Sequence, residues 1–309
     1  MLRQLETNSG FTIIELLISL VAGLVVLTAS MSFAVTTMRS VGANEIREDV
    51  QRNARFVAMS LQRDIQSTGV GIESLPWFGA LTVTGDTIVI LSVPYDPNEA
   101  PIHDLEPPAG ANNPLDPGGT CGLRCLTLNK VDGTHAFVPG DLARLQVNGQ
   151  RRLIVVQSVA DAGANFLLTF VNQAEIFGYT AGLTGGLLLD RFGTSVQELS
   201  HFTYYVDNGR LVRSDQFDTA GDLIGAVLAD GVQSWEVTLI FVDGDEAEKA
   251  DPFDMDDTND YDDIVSVRIL ATLAADDPDP RLNAGVLYTR DYEWMFAPRN
   301  LTYERNRKN

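Results

Sequence analysis

The sequence predicts an α+β protein in which one long N-terminal helix packs on an antiparallel, β-rich head. Three observations lead there. From Phe11 to Met31 the chain is apolar and proline-free, with Glu15 its one ionisable side chain. An apolar stripe at steps of three and four then continues to Ile65, and beyond Gly71 short β-type runs alternate with turn residues.

The first element is a membrane-spanning segment, residues 11–31. About 20 apolar residues rising ~1.5 Å each cross the hydrocarbon core of a bilayer. In lipid the backbone must satisfy its own hydrogen bonds, so the segment is a helix. A carboxylate near the start of such a helix is costly. Glu15 either seeks a positive partner or snorkels to the headgroups from its place near the helix end.

The second element is the amphipathic continuation, residues 32–68. Between Ser32 and Ser67 there is no proline and one glycine, Gly42. Ile46, Val50, Ala54, Val57, Leu61 and Ile65 draw a stripe that needs a partner surface, while Arg47, Glu48, Arg52, Arg55 and Arg63 occupy the other faces. The head of the same chain is the expected partner, and Gly69 and Gly71 are the expected stop.

The head comprises residues 69–309. Strands are expected at Leu81–Thr84, Thr87–Val93, Leu142–Val147, Arg152–Gln157 and Phe166–Phe170, with tight turns at Gly85-Asp86 and Asn148-Gly149. The proline-rich stretch Pro94–Pro117 reads as an irregular exposed loop. Phe202 to Arg213 is a hairpin built on Asn208-Gly209, because Asn-Gly supplies the positive φ angles of a type I′ turn. Trp235–Val242 and Ile264–Leu273 form a further antiparallel pair, joined by the acidic segment Asp243–Asp263.

The chain has 309 residues, 45% of them apolar, and a net charge of −20. That charge argues against general affinity for nucleic acid and favours solubility and cation binding. Cys121 and Cys125 are the two cysteines. In an oxidising compartment they form a disulfide that pins a small loop; half a zinc site and a redox-active pair are the alternatives. Asp254, Asp256, Asp257 and Asp260 concentrate oxygen ligands of the kind Ca²⁺ prefers, without the glycine and distal glutamate of an EF-hand. A plain solvated acidic loop is the competing account. No other cofactor is expected. His103, His135 and His201 stand near no nucleophile motif, and there is no P-loop, Gly-x-Ser-x-Gly or dinucleotide fingerprint. Enzymatic activity is therefore not expected. The basic cluster Arg299, Arg305, Arg307 and Lys308 reads as a solvated terminus or a contact with the acidic head, with contact to DNA as the alternative.

Gly10-Phe11-Thr12-Ile13-Ile14-Glu15-Leu16-Leu17-Ile18-Ser19 closely resembles the processing site of type IV pilins and their relatives. The resemblance implies a leader, residues 1–10, that a prepilin peptidase removes after Gly10. Phe11 then becomes the N-methylated end, and Glu15 pairs with the terminal amine of a neighbouring subunit. This leader carries one basic residue, Arg3, beside Glu6, fewer than similar leaders often have. Farther along, Tyr204 to Arg213, Leu228-Ala-Asp-Gly-Val232, Val265-Ser-Val-Arg268 and Ala297-Pro-Arg-Asn-Leu301 resemble the PilW-type minor pilins. Residues 72–190 carry no such likeness. The resemblance implies a minor pilin that takes part in initiating pilus assembly or in the tip complex. Its partners would be the peptidase, other minor and major pilins, the inner-membrane assembly platform, and the lipid bilayer before assembly. The head would lie in the periplasm and later in the fibre or at its tip. A J-type minor pseudopilin of type II secretion shares these features, and a pilus-tip adhesin is the reading from another functional class.

Overall fold

The computed structural model describes residues 12–95, 98–105, 124–147, 149–172, 193–275 and 286–301. A single helix, α1 (Ile13–Gln66), runs through 54 residues without a break, about 80 Å at ~1.5 Å per residue. Thr12 caps it in an extended conformation, its Oγ1 accepting the Glu15 N–H at 3.3 Å. Every residue from Thr12 to Val41 is exposed. Four hydroxyls within this apolar half are spent on the helix itself. Ser19 donates to the Glu15 carbonyl at 2.7 Å, Thr28 to Leu24 at 3.0 Å, and Thr36 and Thr37 to Ser32 and Phe33 at 2.9 Å. None of these needs water, which suits an apolar surrounding.

Burial begins at Val50 and follows the expected stripe through Ala54, Val57, Leu61 and Ile65. The helix ends where glycine becomes necessary. Gly69 and Gly71 have φ of +78° and +70°, and a Cβ on Gly71 would lie 2.8 Å from Cβ of Val93. The chain leaving the helix is pinned at once, Gly69 N–H donating to Leu91 O at 3.0 Å and Val93 N–H to Val70 O at 2.8 Å.

The described residues of the head form two antiparallel sheets. The larger is built from β1 (Leu81–Thr84), β2 (Thr87–Ser92), β3 (Ile102–Asp104), β4 (Cys125–Asn129), β5 (Leu142–Val147), β6 (Gln150–Ala162), β7 (Asn165–Asn172), β8 (Thr194–Asp207), β9 (Arg210–Phe217) and β10 (Leu223–Ala229). Its main path runs β1-β2-β8-β5-β6-β7-β4, with β3 and β9 also on β8, and β10 on β9. The smaller sheet has β11 (Val232–Phe241), β12 (Glu246–Ala247), β13 (Ile264–Ala274) and β14 (Thr289–Phe296) in the order β12-β11-β13-β14. The expected hairpin forms, Asp207 facing Arg210 across Asn208 and Gly209 at φ +50° and +75°. Thr84 likewise faces Thr87 across Gly85-Asp86. Asn148 lies outside the described residues, but Val147 faces Gln150 around its site.

Strand β8 is the spine, and it divides the head into two cores. Residues Thr194 to Leu199 pair with β5, and Ser200 to Tyr204 pair with β2. One core joins the buried stripe of α1 to β1, β2, β11 and β13. The other, around Leu128, Phe166, Leu168 and Phe170, lies among β4 to β7. Five strands differ from the sequence expectation. β3 falls inside the stretch expected to be irregular, and its His103 is buried rather than exposed. β4, β10, β12 and β14 fall outside the expected strands. β10 and β14 each pair with a single strand, so their exposed faces blur the alternation that marks a strand in sequence.

Candidate functional site

Two features stand out: an apolar stem whose first half meets no part of its own head, and the contacts that fix its second half. Gly10 and Phe11, the expected processing pair, lie outside the described residues. Glu15 sits in the first turn of α1, exposed, where a carboxylate is favoured by the helix dipole. The helix is long and apolar enough to cross a membrane.

The stem is fixed at Asp64, in the last turn of the helix. This carboxylate is 1% exposed. Tyr204 donates its hydroxyl to Asp64 Oδ2 at 2.6 Å, Arg213 Nε donates to the same oxygen at 2.7 Å, and Arg63 Nε reaches Oδ1 at 2.9 Å. Tyr204 and Arg213 are direct cross-strand partners on β8 and β9. The hairpin therefore presents both donors together. Burial, with Asp64 as acceptor, pushes the Tyr204 hydroxyl well above the ordinary tyrosine range, so it stays a donor. The Arg213 guanidinium lies 4.2 Å from the centre of the Phe202 ring. A carboxylate taken from water is tolerable only with such donors around it. The chain's far end adds a second tie, Asn300 Nδ2 donating to Thr68 O at 3.0 Å. Sequence reading passed over Asp64, although an acid three residues after Leu61 and beside Ile65 interrupts an otherwise apolar stripe.

The acidic segment is partly rearranged from expectation. Asp254 and Asp256 are engaged in the loop's own turns: Asp254 accepts from the Asp256 N–H at 2.8 Å and from Asn259 Nδ2 at 2.9 Å, and Asp256 accepts from Thr258. The carboxylates brought within 4.8 Å of one another belong to Asp260, Asp262 and Asp263. Of the expected set, only Asp260 joins them. Asp260 is 9% exposed, and burial followed by the charge of Asp262 raises its pKa. The buried Oδ1 of Asn259 has no hydrogen-bond partner among the described residues. An all-oxygen set of this kind suits a hard divalent cation.

Cys125 opens β4 opposite Thr169; Cys121 lies outside the described residues, as do Arg305, Arg307 and Lys308, while Arg299 is exposed. The histidines sit against aromatic rings. His103 places Nδ1 2.8 Å from Asn129 O and packs on Phe137 and Phe166. His135 lies against Phe166 with Nε2 3.3 Å from Asp161, which also holds Lys130 at 2.7 Å. His201 meets Phe217 edge-on, ring centres 4.4 Å apart, and burial lowers its pKa to about 4.

No protein-family model matches the chain, and no curated protein matches its sequence. The architecture itself is the generic one of pilin-like proteins: a long apolar N-terminal helix whose second half packs on an antiparallel β-rich head.

Proposed function

We propose that this chain is a minor pilin of a type IV pilus, similar to the PilW type, whose role is assembly rather than catalysis. The supporting observation is the unbroken helix from Ile13 to Gln66, exposed and apolar in its first half and clamped to the head in its second. A helix that only anchored a domain would have no need of continuous rigidity from membrane to head. A subunit that exchanges lipid for a bundle of like helices needs its head held at a fixed height and angle above that helix. In this reading the peptidase cuts after Gly10 and Phe11 becomes the methylated terminus. Glu15 then meets a neighbour's terminal amine, since opposite charges attract strongly where water is excluded. The head stands on the periplasmic side before assembly. The acidic loop is read as a place where calcium, matched by its oxygen donors, ties residues 260 to 263 together.

The test is processing of the full chain in a host with a prepilin peptidase. Gly10→Val is expected to leave the protein at precursor size, and Glu15→Ala to be processed yet excluded from fibres. A Gly10→Val chain cut to mature size overturns the reading. The J-type pseudopilin reading shares the same stem, and the proteins that co-purify from membranes decide between them: pilins and a tip protein, or secretion components.

A further inference from the structure

Strand β10 ends its branch of the larger sheet, pairing with β9 and with no other described strand. Its seven residues, Leu223-Ile-Gly-Ala-Val-Leu-Ala229, carry no charge and no proline. Ile224, Gly225, Ala226 and Val227 are exposed in succession, Ile224 by 52% and Val227 by 49%. Successive residues of a strand point to opposite faces, so four in a row leave both faces of this margin bare. Two bulges, at Ile224/Gly225 and Val227/Ala229, bound a stretch in regular register, Gly225 to Val227 facing Ser214 to Val212 of β9. Among the described residues no backbone hydrogen bond leaves this stretch on the side away from β9.

The other described sheet margins are guarded in ways that β10 is not. β14 carries Arg290, Asp291 and Glu293, and β4 is bridged at Leu128 by Leu105. β1, β3 and β12 are short, with four, three and two residues. A neutral, apolar, exposed edge presents unpaired N–H and C=O groups as a template for one more strand. Charge then selects among strands. Asp218 and the exposed Asp222 stand just before β10, and the Asp222 carboxylate has no ion pair among the described residues. Asp230, past the far end, is already paired with Arg210 at 3.1 Å. The uncompensated negative charge thus lies at the N-terminal end of the strand. An antiparallel second copy would set Asp222 beside Asp230 of that copy, and two chains of charge −20 repel.

We propose that the outer edge of β10 accepts an extended segment of another protein as an added antiparallel strand, aliphatic along its length and basic at the C-terminal end that meets Asp218 and Asp222. The direction follows the sheet, in which β10 meets β9, and β9 meets β8, antiparallel. Main-chain hydrogen bonds to Gly225, Ala226 and Val227 supply affinity, and the exposed side chains of Ile224 and Val227 select aliphatic neighbours. The edge is open whichever assembly the stem joins.

The test titrates the full chain in detergent with the capped peptide Ac-Thr-Val-Thr-Val-Thr-Val-Lys-Lys-amide, followed by calorimetry and by amide hydrogen exchange. Saturable binding at millimolar concentration or tighter is expected, with slowed exchange in β10. The same peptide ending in Glu-Glu is expected to bind more weakly, and one with proline in place of its middle valine, which cannot complete the ladder, not to bind. Ala226→Lys puts a like charge on the edge and is expected to weaken binding about tenfold or more with no loss of thermal stability. Thr289→Lys, an equal charge change on exposed β14, is expected to leave binding unchanged. Absence of saturable binding, equal binding of the proline or the Glu-Glu peptide, or equal weakening by Thr289→Lys overturns the proposal. So does self-association of the full chain that Ala226→Lys abolishes, since a second copy would then be the occupant.

Discussion

The hydroxyl of Tyr204 donates to Asp64 across 2.6 Å and so joins the spine of the head to the last turn of the stem. One carboxylate oxygen accepts both this hydrogen bond and that of Arg213 Nε. The angle between stem and head is set by this buried charge as well as by apolar contact. Apolar packing tolerates small slips, whereas three charge-assisted hydrogen bonds to one carboxylate specify direction.

The clamp predicts a graded series in unfolding measurements on the full chain. Tyr204→Phe removes one hydrogen bond to a charged group and is expected to cost about 2 kcal/mol. Arg213→Met leaves Asp64 buried with less compensation and is expected to cost more, about 3 kcal/mol. Adding Asp64→Leu to Arg213→Met is expected to recover part of that loss, because the orphaned charge is gone. A double variant less stable than Arg213→Met would show that the carboxylate is not the source of the cost.

His201 predicts a pH dependence. Its pKa falls from 6.5 to about 4 on folding, so between those values the unfolded chain binds the extra proton. Stability is therefore full above pH 6.5, declines as pH falls through this window, and loses no more from this group below 4. The difference is on the order of 3 kcal/mol. His201→Phe is expected to flatten that part of the profile. Comparing it with the parent also separates His201 from Asp141 and Glu198, whose raised pKa values act in the opposite direction, favouring the fold at low pH and losing that contribution as pH rises.

Gly71 predicts a backbone effect at the stem–head joint. Its φ of +70° costs an L-residue ~1 kcal/mol or more, and the added Cβ would press on Val93. Gly71→Ala is expected to lower the melting temperature, whereas Gly42→Ala, with open space around its Cβ and a helical backbone, is expected to raise it slightly.

The acidic loop predicts a response to calcium. Millimolar Ca²⁺ is expected to raise the melting temperature of the full chain, and Asp260→Asn with Asp262→Asn to abolish the shift. Asp254→Asn is expected to retain most of it, because that carboxylate serves the loop's own turns. Identical shifts in all three proteins would assign the effect to general screening of a −20 chain.

Features that depend on near neighbours are legible in the order of residues alone. The apolar run from Phe11, the stripe from Ile46 to Ile65, the stop at Gly69 and Gly71, and the Asn208-Gly209 turn all follow from periodicity or from φ angles that few residues accept. These constraints act within a turn or a hairpin, so they are written locally. Features that depend on residues far apart in the chain emerge only on folding. Beside its neighbour Arg63, Asp64 finds two donors 140 and 149 residues later, and nothing near it in the sequence names those two. The middle of β8 became a junction only when β5 and β2 paired with its two halves. The acidic run became Asp260, Asp262 and Asp263 only when its turns had claimed Asp254 and Asp256. A buried charge or a cavity exists only where strands converge, and convergence is a property of the whole fold.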